Sequence, residues 1–348
     1  MPSLGRQAPL SKIGEFQLIQ SITPPWSRPS SEIILGIGDD AAILRVPQGR
    51  QMVVSTDLLI EHIHFERRYA TFYEIGYKAA VANLSDLAAM GAQPMALLVS
   101  VALPPTLTFQ DWQELYRGLS APCLTHQVRI VGGDTSSSPS PSFVSVTVLG
   151  TVKKGCALRR SGAKIGHGIY VSGTLGDASA GLDYLTRKKS RARDRSSLPQ
   201  SVRHLVQRHF HPSPKIKLGA LLGTRHWASA TIDISDGLSN DLGHICQQSR
   251  VGALIFAEHL PLSVALKNYA ARKKIDSLKW VLHGGEDYEL LFTVPPQYTK
   301  KVETVAQRLP VTITKIGLIT ASRSGIRLQD SEGNVSSLPS GGYDHFRC

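Results

Sequence analysis

Cysteine is scarce in this chain: Cys123, Cys156, Cys246 and Cys348 are the four in 348 residues, and they stand far apart with no paired spacing. That excludes a disulfide framework or a thiolate zinc site as the organising feature. The twelve histidines show no His-Glu-x-x-His pattern, so a zinc hydrolase is not signalled either. No apolar run approaches the ~20 residues of a membrane-spanning helix. The opening MPSLGRQAPLSK lacks the continuous apolar centre of a secretory signal, so the expected compartment is the cytoplasm, with no membrane partner. The Gly-x-x-x-x-Gly-Lys-Ser/Thr loop is absent, which excludes a P-loop nucleotidase, and so are the His-Arg-Asp and Asp-Phe-Gly sets of protein kinases.

What is present is an ordinary globular composition with a formal net charge of +12. Much of the excess is local, in Arg187-Lys188-Lys189-Ser190-Arg191-Ala192-Arg193-Asp194-Arg195 and in Arg272-Lys273-Lys274. Blocks of like charge are usually solvated loops. With no aromatic stacking residue inside the block, that reading is preferred to a nucleic-acid contact. The length predicts about two domains of roughly 100–200 residues each. Residues 1–31 read as an arm ending in a Pro/Ser-rich loop, and Lys153-Lys154-Gly155 reads as a junction between domains 32–154 and 155–348.

Periodicity fills in the elements. A short helix opens at Gly14-Glu15-Phe16, and the β-branched run 51–56 predicts a strand that delivers Asp57 at its C-terminal edge. Helices are expected over 71–90, stopped by Gly91, and over 108–126, with Trp112, Leu115, Tyr116 and Leu119 on one side. Strands are expected at 96–103, 128–131 and 143–152. Beyond the junction come strands at 168–173, 229–234, 252–257, 288–294 and 312–319. Helices are expected there from Asp177 to about Arg187 and over 202–209, 214–222, 238–249, 261–272 and 296–309. The alternation lacks a uniform βαβ rhythm, so the fold class is α+β with two sheets.

The informative residues are acidic. Gly36-Ile37-Gly38-Asp39-Asp40-Ala41-Ala42 nominally fits a dinucleotide fingerprint, but the helix it requires would meet Pro47 and Gly49 at once. The other reading is that its aspartates hold hard cations, which in turn hold phosphate. Further acids stand beside Gly, Ser or Thr: Asp57, Asp86, Asp134 in Gly132-Gly133-Asp134-Thr135, Asp233 and Asp236, and Glu286 in Gly284-Gly285-Glu286-Asp287. Taken singly each has a plain structural explanation, such as Asp236 capping the next helix or Asp134 making an Asx-turn. Taken together, crowded carboxylates need a positive counterpart. Oxygen-only donors suit Mg²⁺, bound by carboxylates together with phosphate.

These loops resemble a known family. The 36–42 stretch, Ser55-Thr56-Asp57, Asn83-Leu84-Ser85-Asp86, Gly132-Gly133-Asp134-Thr135 and Arg160-Ser161-Gly162-Ala163 are similar to the thiamine-monophosphate kinases. So are Asp233-Ile234-Ser235-Asp236-Gly237-Leu238, Gly284-Gly285-Glu286-Asp287-Tyr288-Glu289-Leu290 and Gly342-Tyr343-Asp344-His345-Phe346, in the same order. The wider group is the aminoimidazole ribonucleotide synthetase-like superfamily. The resemblance implies an N-terminal β-rich domain forming a dimeric barrel and a C-terminal α/β domain packed on it. It implies a homodimer that transfers phosphoryl from ATP to thiamine monophosphate using several Mg²⁺ ions. Carried over by position, Asp40, Ser55, Thr56, Asp57, Asp86, Asp134, Asp233 and Asp236 would bind metal, with Asp40, Asp134 and Asp236 the catalytic ones. Tyr116, Gly133, Asp134, Arg160 and Ser235 would contact ATP; His64, Glu286 and Tyr343 would contact thiamine monophosphate. Asp39, beside Asp40, is expected to play a supporting part. Hydrogenase-maturation proteins of the same superfamily use a C-terminal cysteine, and Cys348 keeps that alternative open; a basic nucleic-acid-binding protein is the alternative from another class.

Overall fold

The computed structural model describes residues 5–26, 30–188, 195, 197–306, 308–339 and 341. Two compact units emerge. The first comprises Met1–Leu87 and Gln93–Lys154; the second comprises Ala88–Ala92, Gly155–Lys188 and Arg195–Cys348.

In the first unit, helix α1 (Glu15–Ile22) precedes a hairpin of β1 (Ile33–Leu35) and β2 (Ile43–Leu44). There follow β3 (Arg50–Ile60), α2 (Phe72–Ala89), β4 (Gln93–Leu103), α3 (Phe109–Thr125), β5 (Arg129–Ser137) and β6 (Phe143–Lys153). The long strands form one four-stranded sheet in the order β3-β6-β4-β5. Only β4 and β5 run parallel, and they need a crossover, which α3 supplies. That helix starts at a capping box: the Thr108 hydroxyl accepts from the Asp111 amide at 3.2 Å and the Asp111 carboxylate accepts from the Thr108 amide at 2.9 Å.

Strand alternation sorts the sheet's two faces. Val144, Val146 and Val148 of β6 and Leu97, Val99 and Val101 of β4 are buried with Leu84 and Leu87 of α2 and Trp112 and Leu115 of α3. On the other face the β1–β2 hairpin covers Met52, Leu98 and Leu149. Beyond the hairpin, Val54 stays 57% and Leu58 47% exposed.

The second unit contains β7 (Gly168–Ser172), α4 (Asp177–Lys188), α5 (Gln200–Phe210), α6 (Ile216–Thr224), β8 (Ala230–Asp233), α7 (Leu238–Ser249) and β9 (Val251–Phe256). It continues with α8 (Val264–Lys273), α9 (Leu278–His283), β10 (Leu290–Val294), α10 (Thr299–Ala306), β11 (Ile313–Ala321), β12 (Ile326–Gln329) and β13 (Val335–Ser337). The seven strands order as β13-β12-β9-β11-β7-β10-β8. Strands β7, β8 and β10 are buried along their whole length, which is why they read as apolar runs. Only β9 and β12 pair in parallel. The sheet is therefore mixed and mostly antiparallel, and this unit is α+β rather than the α/β type expected for it.

Several boundaries differ from expectation for identifiable reasons. Strand β3 runs on to Ile60 because β6 pairs with it as far as Phe143, so Asp57 sits mid-strand instead of at an edge. Strand β5 continues through Gly132-Gly133-Asp134-Thr135, paired with β4; tertiary pairing overrides the turn chemistry of that sequence. Helix α8 begins after Ser263, whose hydroxyl accepts from the Leu266 amide at 2.9 Å, and not at Pro261. No helix among the described residues is long and apolar enough to cross a membrane.

Candidate active-site residues

In the first unit the loop 36–42 is the tip of a hairpin, followed by β2 and not by a helix. The dinucleotide reading therefore fails on structure as well as on sequence. Asp39 and Asp40 play different parts. The Asp39 carboxylate accepts from the Asp40 backbone amide at 2.9 Å, while the Asp40 side chain is exposed.

Ser55, Thr56 and Asp57 follow strand alternation. Ser55 faces α2 and donates to the Asp86 carboxylate at 2.5 Å. Thr56 faces the other way, donating to the Val146 carbonyl at 3.1 Å and lying 3.0 Å from the Thr147 hydroxyl. Asp57, two residues from Ser55, returns to the Ser55 face and is half-buried. Asp86 projects from the body of α2 rather than from a loop.

Asp134 is exposed on β5, opposite Ser100 of β4. Its approach is set by Gly133, which has φ +150° and no room for a side chain, because a Cβ there would overlap the Val99 carbonyl. Tyr116 is buried on α3, its ring centroid 4.6 Å from that of Trp112. Burial pushes its hydroxyl pKa up, partly offset by a hydrogen bond with Thr135, the neighbour of Asp134. His64 Nδ1 accepts from the Ile60 amide at 3.0 Å, so in the neutral ring the proton sits on Nε2.

In the second unit Asp233 ends β8 and is buried, while Ser235 and Asp236 are half-buried in the turn before α7. Gly237 provides the N-terminal cap position of α7 with φ +118°, so Asp236 is not the cap. The capping work falls to Asp241, which sequence reasoning missed. Its carboxylate accepts from the Asp236 amide at 3.2 Å and the Gly237 amide at 3.1 Å. Burial, followed by the charges of Asp233 and Asp236, pushes Asp241 up to about 8. Crowding of this kind is relieved when a cation sits among the carboxylates, and hard oxygen donors suit Mg²⁺. The donor chemistry of these side chains suits the ion. Among the described residues, no three His, Cys, Asp or Glu side chains already form a metal cage.

The segment after α9 is pinned to this turn. The Glu286 amide donates to the Ser235 carbonyl at 2.8 Å, and the Tyr288 amide to the Ile234 carbonyl at 2.9 Å. Glu286 itself is partly exposed, with Oε2 3.3 Å from Nδ1 of buried His209. Its neighbours Asp287 and Glu289 are buried and structural: Asp287 accepts from the Gly176 amide at 2.6 Å, and Glu289 takes Ser172, Arg208 and Lys215. Sequence reasoning grouped Asp287 with the site motif. No local feature of Gly284-Gly285-Glu286-Asp287 separates the two acids; burial and the Gly176 amide do. Arg160 is exposed in a loop held by Ser249, whose hydroxyl accepts from the Gly162 and Ala163 amides at 3.1 Å each. Tyr343, Cys348 and residues 189–194 of the basic block lie outside the described residues.

Two family descriptions match: AIR synthase related protein, N-terminal domain, over residues 38–152, and AIR synthase related protein, C-terminal domain, over 164–329. Thiamine-monophosphate kinase of Escherichia coli (strain K12) is 38% identical over 334 residues, covering 96% of this chain and 98% of that protein. The chain belongs to the thiamine-monophosphate kinase family. A Bacillus subtilis (strain 168) thiamine-monophosphate kinase is 34% identical over 333 residues, with 96% and 99% covered. Among solved thiamine-monophosphate kinases, that of Stenotrophomonas maltophilia K279a has a TM-score of 0.81 at 36% identity, covering 93% of this chain and 98% of the other. AaThiL complexed with AMPPCP and TMP has a TM-score of 0.74 at 32% identity, covering 96% and 98%. Hydrogenase maturation protein HypE, at 18% identity and a TM-score of 0.75, shares the fold alone.

Proposed function

We propose that this chain transfers the γ-phosphoryl group of ATP to the phosphate of thiamine monophosphate, giving thiamine diphosphate and ADP in the cytoplasm, where ATP is abundant. The carrying observation is the end-to-end likeness to thiamine-monophosphate kinases, 38% over 334 residues. Donor and acceptor are both anionic, so their mutual repulsion is the main barrier. Asp40, Ser55, Asp57, Asp86, Asp134, Asp233 and Asp236 would hold Mg²⁺, and Thr56, whose side chain turns to the other face of the sheet from Ser55 and Asp57, would join them only through its backbone. Bound Mg²⁺ neutralises phosphate charge and favours in-line transfer. The attacking oxygen is an already ionised phosphate, so the chain needs no general base.

The chain's own residues supply the rest. Arg160, exposed on its pinned loop, offers a charge-assisted contact to ATP phosphate, with Gly133 and Ser235 giving close backbone approach and Tyr116 supporting Thr135 beside Asp134. His64 presents Nε2–H to the substrate, and Glu286 presents a negative charge to the cationic thiamine rings. Tyr343 completes the substrate contacts on this reading. Labour divides between residues 32–154 and 155–348. The first of these dimerises as a barrel through the uncovered sheet face that carries Val54 and Leu58.

The test is incubation of the full chain with Mg-ATP and thiamine monophosphate. Thiamine diphosphate and ADP should form in equal amounts. ATP consumption without thiamine diphosphate would sink the proposal in favour of a hydrogenase-maturation-like activity.

A further inference from the structure

The last turn of α5 presents two adjacent basic side chains to the 286–289 segment. Arg208 Nη2 lies 2.8 Å from Oε1 of Glu289, a buried pairing that anchors the strand. His209 does something different. Its side chain is 3% exposed while that of Glu286 is 27% exposed, and Nδ1 stands 3.3 Å from Oε2. One end of the contact is thus sealed in the unit and the other opens to solvent.

The backbone here is unusual. Glu286 has φ +68° and Tyr288 φ +50°, the left-handed region that non-glycine residues seldom adopt. Their amides are tied to Ser235 and Ile234, and Gly285 has no space for a side chain, since a Cβ would overlap the Ser235 carbonyl. Strain that is over-determined by its surroundings clusters at functional sites. A carboxylate carried on such a backbone has a fixed root, but its side chain still has free torsions. A buried ring beside one oxygen removes that freedom.

We propose that His209 is a positioning residue: its imidazole holds the Glu286 carboxylate from the buried side, aimed to receive the cationic part of the phosphate acceptor. The role is to select an acceptor that carries a positively charged heterocycle over one that carries phosphate alone. This rests on the reading of Glu286 as a substrate contact. Nδ1 and Oε2 approach to 3.3 Å without the alignment of a hydrogen bond in this structure, so the ring acts by limiting where the carboxylate can turn and leaves its charge for the substrate. Arg208, one residue earlier, is committed to Glu289 and does not compete.

The test uses the full chain and separates the two substrates. Wild type, His209→Ala, His209→Asn, Glu286→Gln and the His209→Ala/Glu286→Gln double variant are compared for kcat and for the KM of ATP and of thiamine monophosphate. His209→Ala should raise the KM for thiamine monophosphate several-fold, about tenfold at most, with the KM for ATP within about twofold. His209→Asn, which keeps a donor near Nδ1, should recover most of that loss. In the double variant the histidine change should add nothing further, since coupled residues are non-additive. An equal rise in both KM values, or additive losses, would assign His209 a packing role and overturn the proposal. Wild type that makes no thiamine diphosphate would overturn the proposed function as well, so the two failures are distinct.

Discussion

Ser55 and Asp86 are joined by a 2.5 Å hydrogen bond from a mid-strand hydroxyl to a helix carboxylate. The bond fixes one carboxylate oxygen on the face of the sheet that also carries Asp57. Groups that orient a metal ligand are worth about 10- to 100-fold in metal affinity. Ser55→Ala should therefore raise the Mg²⁺ concentration for half-maximal rate by about that factor, and Asp86→Asn should do more. The measurement is initial rate against Mg²⁺ at fixed ATP. An unchanged Mg²⁺ dependence in both variants would remove these residues from the metal site.

Two buried acids of one network titrate in opposite directions. Burial pushes Asp287 up to about 7, against the amides of Gly176 and Ala178 and the charge of Arg208. Asp177 is also pushed up by burial, but bonds from His204, Ser263 and Thr174 outweigh it and leave its pKa below the ordinary carboxylate value. The signs follow. Folded Asp287 keeps a proton that the unfolded chain releases above about pH 4, so its contribution is complete below that value and is lost as pH rises through about 7. Asp177 contributes above its unfolded pKa, and that contribution is lost as pH falls through its lower folded value. Asp287→Asn removes the first titration, so the melting temperature should fall less steeply between about pH 5 and pH 7.5 than in wild type. Parallel slopes for the two proteins would show that Asp287 does not carry the proton.

Glu289 is 1% exposed and receives Ser172 at 2.5 Å, Arg208 at 2.8 Å and Lys215 at 3.1 Å. Removing one partner of a buried ion pair costs about 3–5 kcal/mol because the survivor stays buried and charged. Lys215 remains in Arg208→Ala, so the loss should sit near 3 kcal/mol, the lower end of that range. Urea unfolding reads it directly. A change below about 1 kcal/mol, the typical value of a surface pair, would mean that Lys215 alone satisfies the carboxylate.

Sequence patterning caught the long elements because their signals are physical and local. The apolar stripe of α2 and its stop at Gly91, and the amphipathic pattern of α3, act within one or two turns. What escaped depends on distant partners. Asp134 lies on a strand because β4 pairs with it, and no local feature of Gly132-Gly133-Asp134-Thr135 announces that pairing. Helix α9, β12 and β13 are short or polar and are stabilised by neighbours far along the chain. The acids of the candidate site were legible as residues, but the division between open ones such as Asp40 and structural ones such as Asp287 needed burial and partners. Asp241 and His209 were invisible for the same reason: each works through a group brought to it by folding.

The uncovered face of the β3-β6-β4-β5 sheet leads to the last expectation. Val54 and Leu58 lie two positions either side of Thr56, pointing the same way, and are 57% and 47% exposed. Strand β3 is the edge strand of this sheet, and adjacent exposed apolar side chains on one face mark an interaction surface; side chains of this size each contribute about 1.5–3 kcal/mol when fully covered. If a second copy supplies the cover, Leu58→Glu places a charge in the interface on both sides at once, because a two-fold interface repeats every change. Light scattering on the purified chain should then give twice the chain mass for wild type and the single-chain mass for Leu58→Glu, with similar far-ultraviolet circular dichroism. A wild-type monomer would end the dimer reading. A variant that stays dimeric would move the interface to another face of the chain.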